Sequence, residues 1–209
     1  MRDDLEEPAA RDRLRVAGYD PEAGTVPLTG KKACPVLEGD GVPTLDGARG
    51  LAESMEIVSY AVGVGSKVAP ATNRKDVADW LDRVGDTRKW LERPRLITMP
   101  VPDFADPRDV AYSRWTHEKQ GFDYDVALEE TPRLLAELKP LLEELETMLR
   151  GREPLSLNAW GYSVDDAILL PILRAMTVTK AVEWPPRVRE YLDTACEAAN
   201  VDTFAKYAC

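Results

Sequence analysis

The chain has little of what most catalytic or metal centres need. It holds one histidine, His117, and three widely spaced cysteines, Cys34, Cys196 and Cys209. A single imidazole offers little material for a metal site or a Ser-His-Asp triad, so no metal is expected. No Cys-x-x-Cys pair occurs and the cysteine count is odd, which argues against a disulfide framework and places the chain by default in a reduced, cytoplasmic setting. No window approaches 18 consecutive apolar residues, so no membrane span is expected. Residues 1–15 are charged and lack the apolar core of a secretory signal. Positive charge is also short: the formal net charge is −10, which disfavours a phosphate backbone as partner, and no nucleic acid is expected.

What is present divides by composition. Residues 1–15 suggest a short helix or disorder, with no strand pattern; residues 16–19 suggest a brief strand. Val36 and Leu37 start a strand after Pro35. Residues 38–50 carry four glycines and a proline, the composition of a hairpin. A helix is expected from about Glu53, with Met55, Val58, Ala61 and Val62 on one face. Residues 66–72 read as a linker between a domain at 1–65 and another at 73–209. The second is nearly all helical pattern. Val77, Trp80, Leu81, Val84 and Leu91 define a helix ending before Pro94. Asp106-Pro107 and Thr131-Pro132 each have the order of an N-cap followed by proline. Leu134, Leu138, Leu141, Leu145 and Met148 form an apolar stripe, with Pro140 as a kink or boundary. A last helix runs from about residue 186 to 199. These stripes are core positions and say nothing of a partner. His117 reads as an exposed helix residue.

Two groupings have a chemical rationale. Glu53-Ser54 opens a helix, where unpaired N–H groups and partial positive charge attract an anion. A serine hydroxyl there can donate to a carboxylate, and an adjacent glutamate can pair with an ammonium group. Together they suit the α-carboxylate and α-amine of an amino acid; the plainer reading is that one of them caps the helix. Ser163-x-x-Asp166 has capping-box spacing, with Asp in place of the usual Glu, and is read as structural. Cys34 is a small apolar filler or, with its pKa lowered by Lys31 or Lys32, a reactive thiol.

The order of motifs resembles a known family. Leu28-Thr29-Gly30-Lys31-Lys32 leads to Pro35-Val36-Leu37. Glu53-Ser54-Met55-Glu56-Ile57-Val58-Ser59-Tyr60 follows, then Ser163-Val164-Asp165-Asp166. Leu170-Pro171-Ile172-Leu173-Arg174 and Glu183-Trp184-Pro185-Pro186-Arg187-Val188 close the pattern. From about residue 16 onward the chain resembles the glutaredoxin-2 type, glutaredoxins built on the glutathione-transferase plan. The resemblance implies an α+β two-domain architecture: a thioredoxin-like N-terminal domain, here incomplete, and an all-α C-terminal domain. It also implies glutathione as cosubstrate, with protein or small-molecule disulfides as further partners. Pro35 would be a cis-proline, Cys34 would offer backbone to the glutathione peptide, and Glu53 and Ser54 would take its γ-glutamyl end.

Family members exchange thiols and disulfides through a Cys-Pro-x-Cys pair, and this sequence has none. Cys34 stands where the family usually has valine, so no catalytic residue is assigned. Two explanations stand open: an incomplete N-terminus, or residues 1–24 loosely attached to a remnant domain in which a strand lacks its partner. The functional expectation is a glutathione-binding, glutaredoxin-2-like protein whose exchange activity is lost or reduced in the chain as given. The alternative is a non-catalytic binding or interaction module of the same fold. A transferase using Tyr19 or Ser54 is a third reading, with no supporting feature.

Overall fold

The structure, a computed structural model, describes residues 14–15, 26–29, 35–43, 50–65 and 67–209. The chain divides into two compact units, Met1–Pro70 and Ala71–Cys209.

In the first unit, β1 (Leu14–Arg15), α1 (Val26–Thr29), β2 (Val36–Leu37), β3 (Leu51–Ala52) and α2 (Ser54–Gly63) follow in order. The sheet has the order β1-β2-β3 and both pairings are antiparallel. Val36 is fully buried, with Leu28 and Leu51 also buried. Gly50 permits the close strand approach, since a Cβ there would lie 2.7 Å from Val36 Cγ1. β1 corrects two expectations. A strand does lie within residues 1–15, and β2 pairs with it through Leu14↔Leu37 and Arg15↔Val36. Two residues cannot display a period-two pattern, so their pairing is a property of the partner strand. The strand expected at 16–19 lies outside the described residues. In α2, Val58, Ala61 and Val62 are half-buried, as is Ile57, whereas Met55 in the first turn is 45% exposed.

The second unit is built on α3 (Lys75–Leu96), which packs against α5 (Tyr124–Glu129), α6 (Thr131–Met148) and α7 (Val164–Met176); α8 (Pro186–Ala198) packs on α6 and α7. α4 (Pro107–Glu118) lies between α3 and α5 in sequence. The main core joins Trp80, Val84 and Leu91 of α3 to Leu138, Leu142 and Leu145 of α6, Leu169 and Leu173 of α7, and Val188 and Leu192 of α8. A smaller cluster gathers Ile97, Phe122, Tyr124 and Ala127.

Tertiary packing revises several local expectations. α3 does not end before Pro94 but carries it in its last turn. Pro94 removes only the bond to the Trp90 carbonyl. The Arg95 guanidinium adds a donor nearby, reaching the Leu91 carbonyl at 2.7 Å. Pro140 likewise sits inside α6 without ending it. The penalty of ~3 kcal/mol is outweighed by burial of Leu138, Leu142 and Leu145, each contributing about 1.5–3 kcal/mol. The buried stripe uses Leu142 rather than Leu141. Leu141 instead offers its carbonyl to Trp80 Nε1 at 2.7 Å. Asp106 caps α4, accepting the Arg108 N–H at 2.9 Å. Thr131 is not a cap. It lies within the first turn of α6 behind Glu130, and its hydroxyl accepts from Arg95 at 3.0 Å. His117 is half-buried rather than exposed, with Nδ1 2.7 Å from the Tyr124 hydroxyl.

Candidate functional site

The strand ladder brings together residues that are 14 to 16 positions apart in sequence. Val36 pairs with Ala52 and Leu37 with Leu51. Pro35 immediately precedes β2, and Glu53 immediately follows β3 at the start of α2. Cys34, and with it the peptide bond before Pro35, lies outside the described residues; Pro35 is half-buried.

Glu53 turns the chain from β3 into α2 with φ 74° and ψ 120°. Positive φ is unusual for a glutamate and costs of order 1–3 kcal/mol, a strain that concentrates at functional sites. Its carbonyl accepts from the N–H groups of Glu56 and Ile57, each at 3.1 Å. Its side chain makes no cap hydrogen bond. Glu53 thus holds the N-cap position through its backbone carbonyl. Ser54 and Met55 follow at the helix start, where no preceding helical carbonyl is available to their N–H groups. Glu53 and Ser54 are both exposed. The arrangement offers a hydroxyl, oriented amides and a carboxylate within two residues, at the positive end of a ten-residue helix. Tyr60 ties the helix to the preceding hairpin, its hydroxyl donating to the Gly41 carbonyl at 3.3 Å.

Ser163 and Asp166 belong to the other unit, at the start of α7. Ser163 Oγ accepts from the Asp165 N–H at 3.2 Å, and Asp166 accepts from the Ser163 N–H at 2.9 Å. The Asp166 carboxylate also accepts the Leu157 N–H at 2.9 Å. Sequence reasoning missed Asp165. It accepts from the Thr72 N–H at 3.1 Å and the Thr72 hydroxyl at 2.6 Å, and from Asn158 at 3.3 Å. Burial acts to raise its pKa, but the hydrogen bonds from Thr72, Asn158 and Ser163 outweigh it and hold the carboxyl below its ordinary range. No local signal marked Asp165, because its main partner is 93 residues away. Ala167, at the position of a hydrophobic staple, is exposed. These groups bond one another and order the helix start.

Cys196 is buried in α8 and burial pushes its thiol pKa up; Cys209 is exposed. A raised pKa is the opposite of what an attacking thiolate needs. Among the described residues, no group of three or more His, Cys, Asp or Glu side chains could hold a metal ion, and no helix is long and apolar enough to cross a membrane.

A small antiparallel sheet leading into a helix, followed by an all-helical unit, is an α+β architecture of the glutathione-transferase type. Comparison with known proteins narrows the class. The family description "Glutaredoxin 2, C terminal domain" matches residues 76–208, more than half of the chain, and the chain belongs to that family. Glutaredoxin 2 of Escherichia coli K12 is 25% identical over 182 residues, spanning 87% of this chain and 80% of the relative, and glutaredoxin 2 of strain CFT073 matches to the same extent. The crystal structure of glutaredoxin 2 from Salmonella typhimurium in complex with glutathione superposes with a TM-score of 0.81 at 25% identity, covering 93% of this chain and 86% of that one.

Proposed function

We propose that this chain binds glutathione through the small unit and does not itself turn over mixed disulfides. The observation that carries the reading is the geometry at Glu53-Ser54: a strained, exposed glutamate at the N-cap position without a side-chain cap hydrogen bond, followed by a serine at a helix start, on the strand that pairs with the one after Pro35. The γ-glutamyl end of glutathione carries the matching α-carboxylate and α-ammonium. The similarity to a glutaredoxin 2 solved with glutathione supports that choice of ligand. In this reading the residue-34 backbone pairs with the glutathione peptide as an added strand.

The exchange chemistry of the family needs a stabilised thiolate and a second position that resolves the mixed disulfide. The 209-residue sequence has no Cys-Pro-x-Cys pair, and Cys196 is buried with a raised pKa. Reduced or lost exchange is therefore the expected behaviour of the chain as given. A non-catalytic binding or interaction module is the second reading.

Calorimetric titration of glutathione into the chain and into Ser54→Ala tests the binding site. Loss of a charge-assisted hydrogen bond of about 1.5–3 kcal/mol predicts an affinity weaker by roughly tenfold or more. Equal affinities would remove Ser54 from the site. A coupled assay with a small mixed disulfide, glutathione and glutathione reductase tests turnover. Robust activity abolished by Cys34→Ser would overturn the non-catalytic reading and make Cys34 the nucleophile.

A further inference from the structure

α4 is held differently from the other long helices of its unit. None of its twelve residues is fully buried, whereas α6 and α8 each bury at least five side chains. Val110 rests, half-buried, on the small cluster formed by Ile97, Phe122, Tyr124 and Ala127. α4 is tied to α5 at the Tyr124 hydroxyl, which lies 2.7 Å from His117 Nδ1 and also bonds Ser113. Tyr124 is 3% exposed. The Phe122 ring meets the imidazole edge-on at 6.1 Å.

The charges around this bond are mostly of one sign. From α3, Arg93 stands over the Phe122 ring at 5.3 Å. From α4 itself, Arg114 stands over the Tyr124 ring at 4.5 Å, and Glu118 pairs with Arg114 at 3.4 Å from an exposed position. From α5 the group facing the imidazole is Tyr124, whose hydroxyl also bonds Ser113. Lys119 is turned aside, over the Trp115 ring at 5.1 Å.

We propose that His117 is a pH-sensitive latch: neutral, it holds α4 on α5, and protonated, it releases the helix. A neutral imidazole can accept at Nδ1 from the tyrosine hydroxyl or donate to it. A protonated ring can only donate, so the tyrosine hydroxyl must turn its proton elsewhere, and the ring adds a positive charge near Arg93 in a partly desolvated position. Burial, and then Arg93, lower the pKa of His117. The docked state therefore takes up its proton later than the undocked state as pH falls. Docking is at full strength above the ordinary histidine value of about 6.5 and weakens as pH drops through the lower docked value. α4 is the element that gives way because it buries no side chain of its own, while the main core is untouched.

His117 is the only histidine of the chain, so its imidazole proton resonance can be followed without assignment. The test measures that titration by NMR and segment-resolved hydrogen exchange of the full chain at about pH 5 and about pH 7.5, corrected for intrinsic rates. The expected result is titration below the ordinary value and loss of protection in α4 on acidification, with α6 and α8 unchanged. The fold-loss should approach the ratio of the undocked to the docked proton affinity of His117. His117→Gln keeps a hydrogen-bonding group and cannot titrate, so its α4 protection should not depend on pH. Titration at or above the ordinary value would overturn the latch, as would acid-induced loss of α4 protection that persists in His117→Gln or spreads equally to α6 and α8. Should that variant not fold, the titration and exchange of the parent chain decide.

Discussion

Asp166→Ala isolates the energetic weight of the helix start in the all-helical unit. Asp166 is 4% exposed, and its carboxylate satisfies two backbone amides, those of Leu157 and Ser163, each at 2.9 Å, as well as the Ser163 hydroxyl at 3.0 Å. Truncation strands both amides where water has little access. An unsatisfied buried donor costs about 1–3 kcal/mol, and a hydrogen bond to an ionised acceptor contributes at the upper end of the usual range. Alanine recovers about 0.5 kcal/mol of helix propensity. The net expectation is a loss of about 3–4 kcal/mol, a large part of the 5–15 kcal/mol typical of a whole domain. For a unit of this size the corresponding fall in Tm is about 10 °C. Circular dichroism at the helix band, followed through thermal and urea unfolding, measures both quantities. Asp166→Asn retains one acceptor oxygen but turns an amide N–H₂ toward a donor, and should recover only about half of the loss. A stability of Asp166→Ala within about 1 kcal/mol of the parent would refute the reasoning, because it would mean that both amides find other partners at no cost.

Arg74→Met should lower stability by about 2 kcal/mol in the same assay, since the buried guanidinium serves the carbonyls of Met148 and Leu157. The same change should raise the pKa of Asp76, which the hydrogen bond from Arg74 holds down; NMR titration of Asp76 reads this directly. Acid should destabilise the helical unit through its depressed carboxylates. Asp165 and Asp106, the latter lowered to about 2 by Arg108, stabilise the fold above their ordinary values and lose that contribution as pH falls toward the folded ones. Unfolding followed from pH 5 downward checks the direction, and Thr72→Val should shrink the part due to Asp165. Residues 71–209 expressed alone should melt cooperatively, and a broad, non-cooperative transition would contradict an independent core.

The features legible in the sequence are those whose partners lie within one or two helical turns. Asp106-Pro107 marks the start of α4 because the cap bond spans two residues. Ser163 and Asp166 reveal the start of α7 for the same reason: the serine and the aspartate answer one another three positions apart. The stripe Leu134, Leu138, Leu145 and Met148 is set by the 3.6-residue period alone. Glu53-Ser54 could be singled out because helix-terminus chemistry depends on position along the chain.

Tertiary structure decided what depends on distant neighbours. Leu142 is fully buried in the core shared with α3, α7 and α8, and Leu141 packs on it only in part, because the packing of the other helices, not the period of α6 alone, sets which face is covered. Pro94 and Pro140 lie inside helices because the burial around them exceeds the cost of one missing backbone bond. Asp165, already bonded locally to Ser163 and Asn158, gains its shortest hydrogen bond from Thr72, 93 positions earlier in the chain. His117 pairs with Tyr124 across a turn rather than facing solvent. The two-residue strand at Leu14–Arg15 exists through its pairing with Val36–Leu37. Local rules bound which conformations a segment can adopt; hydrogen-bond partners and buried surface supplied from elsewhere in the chain select among them.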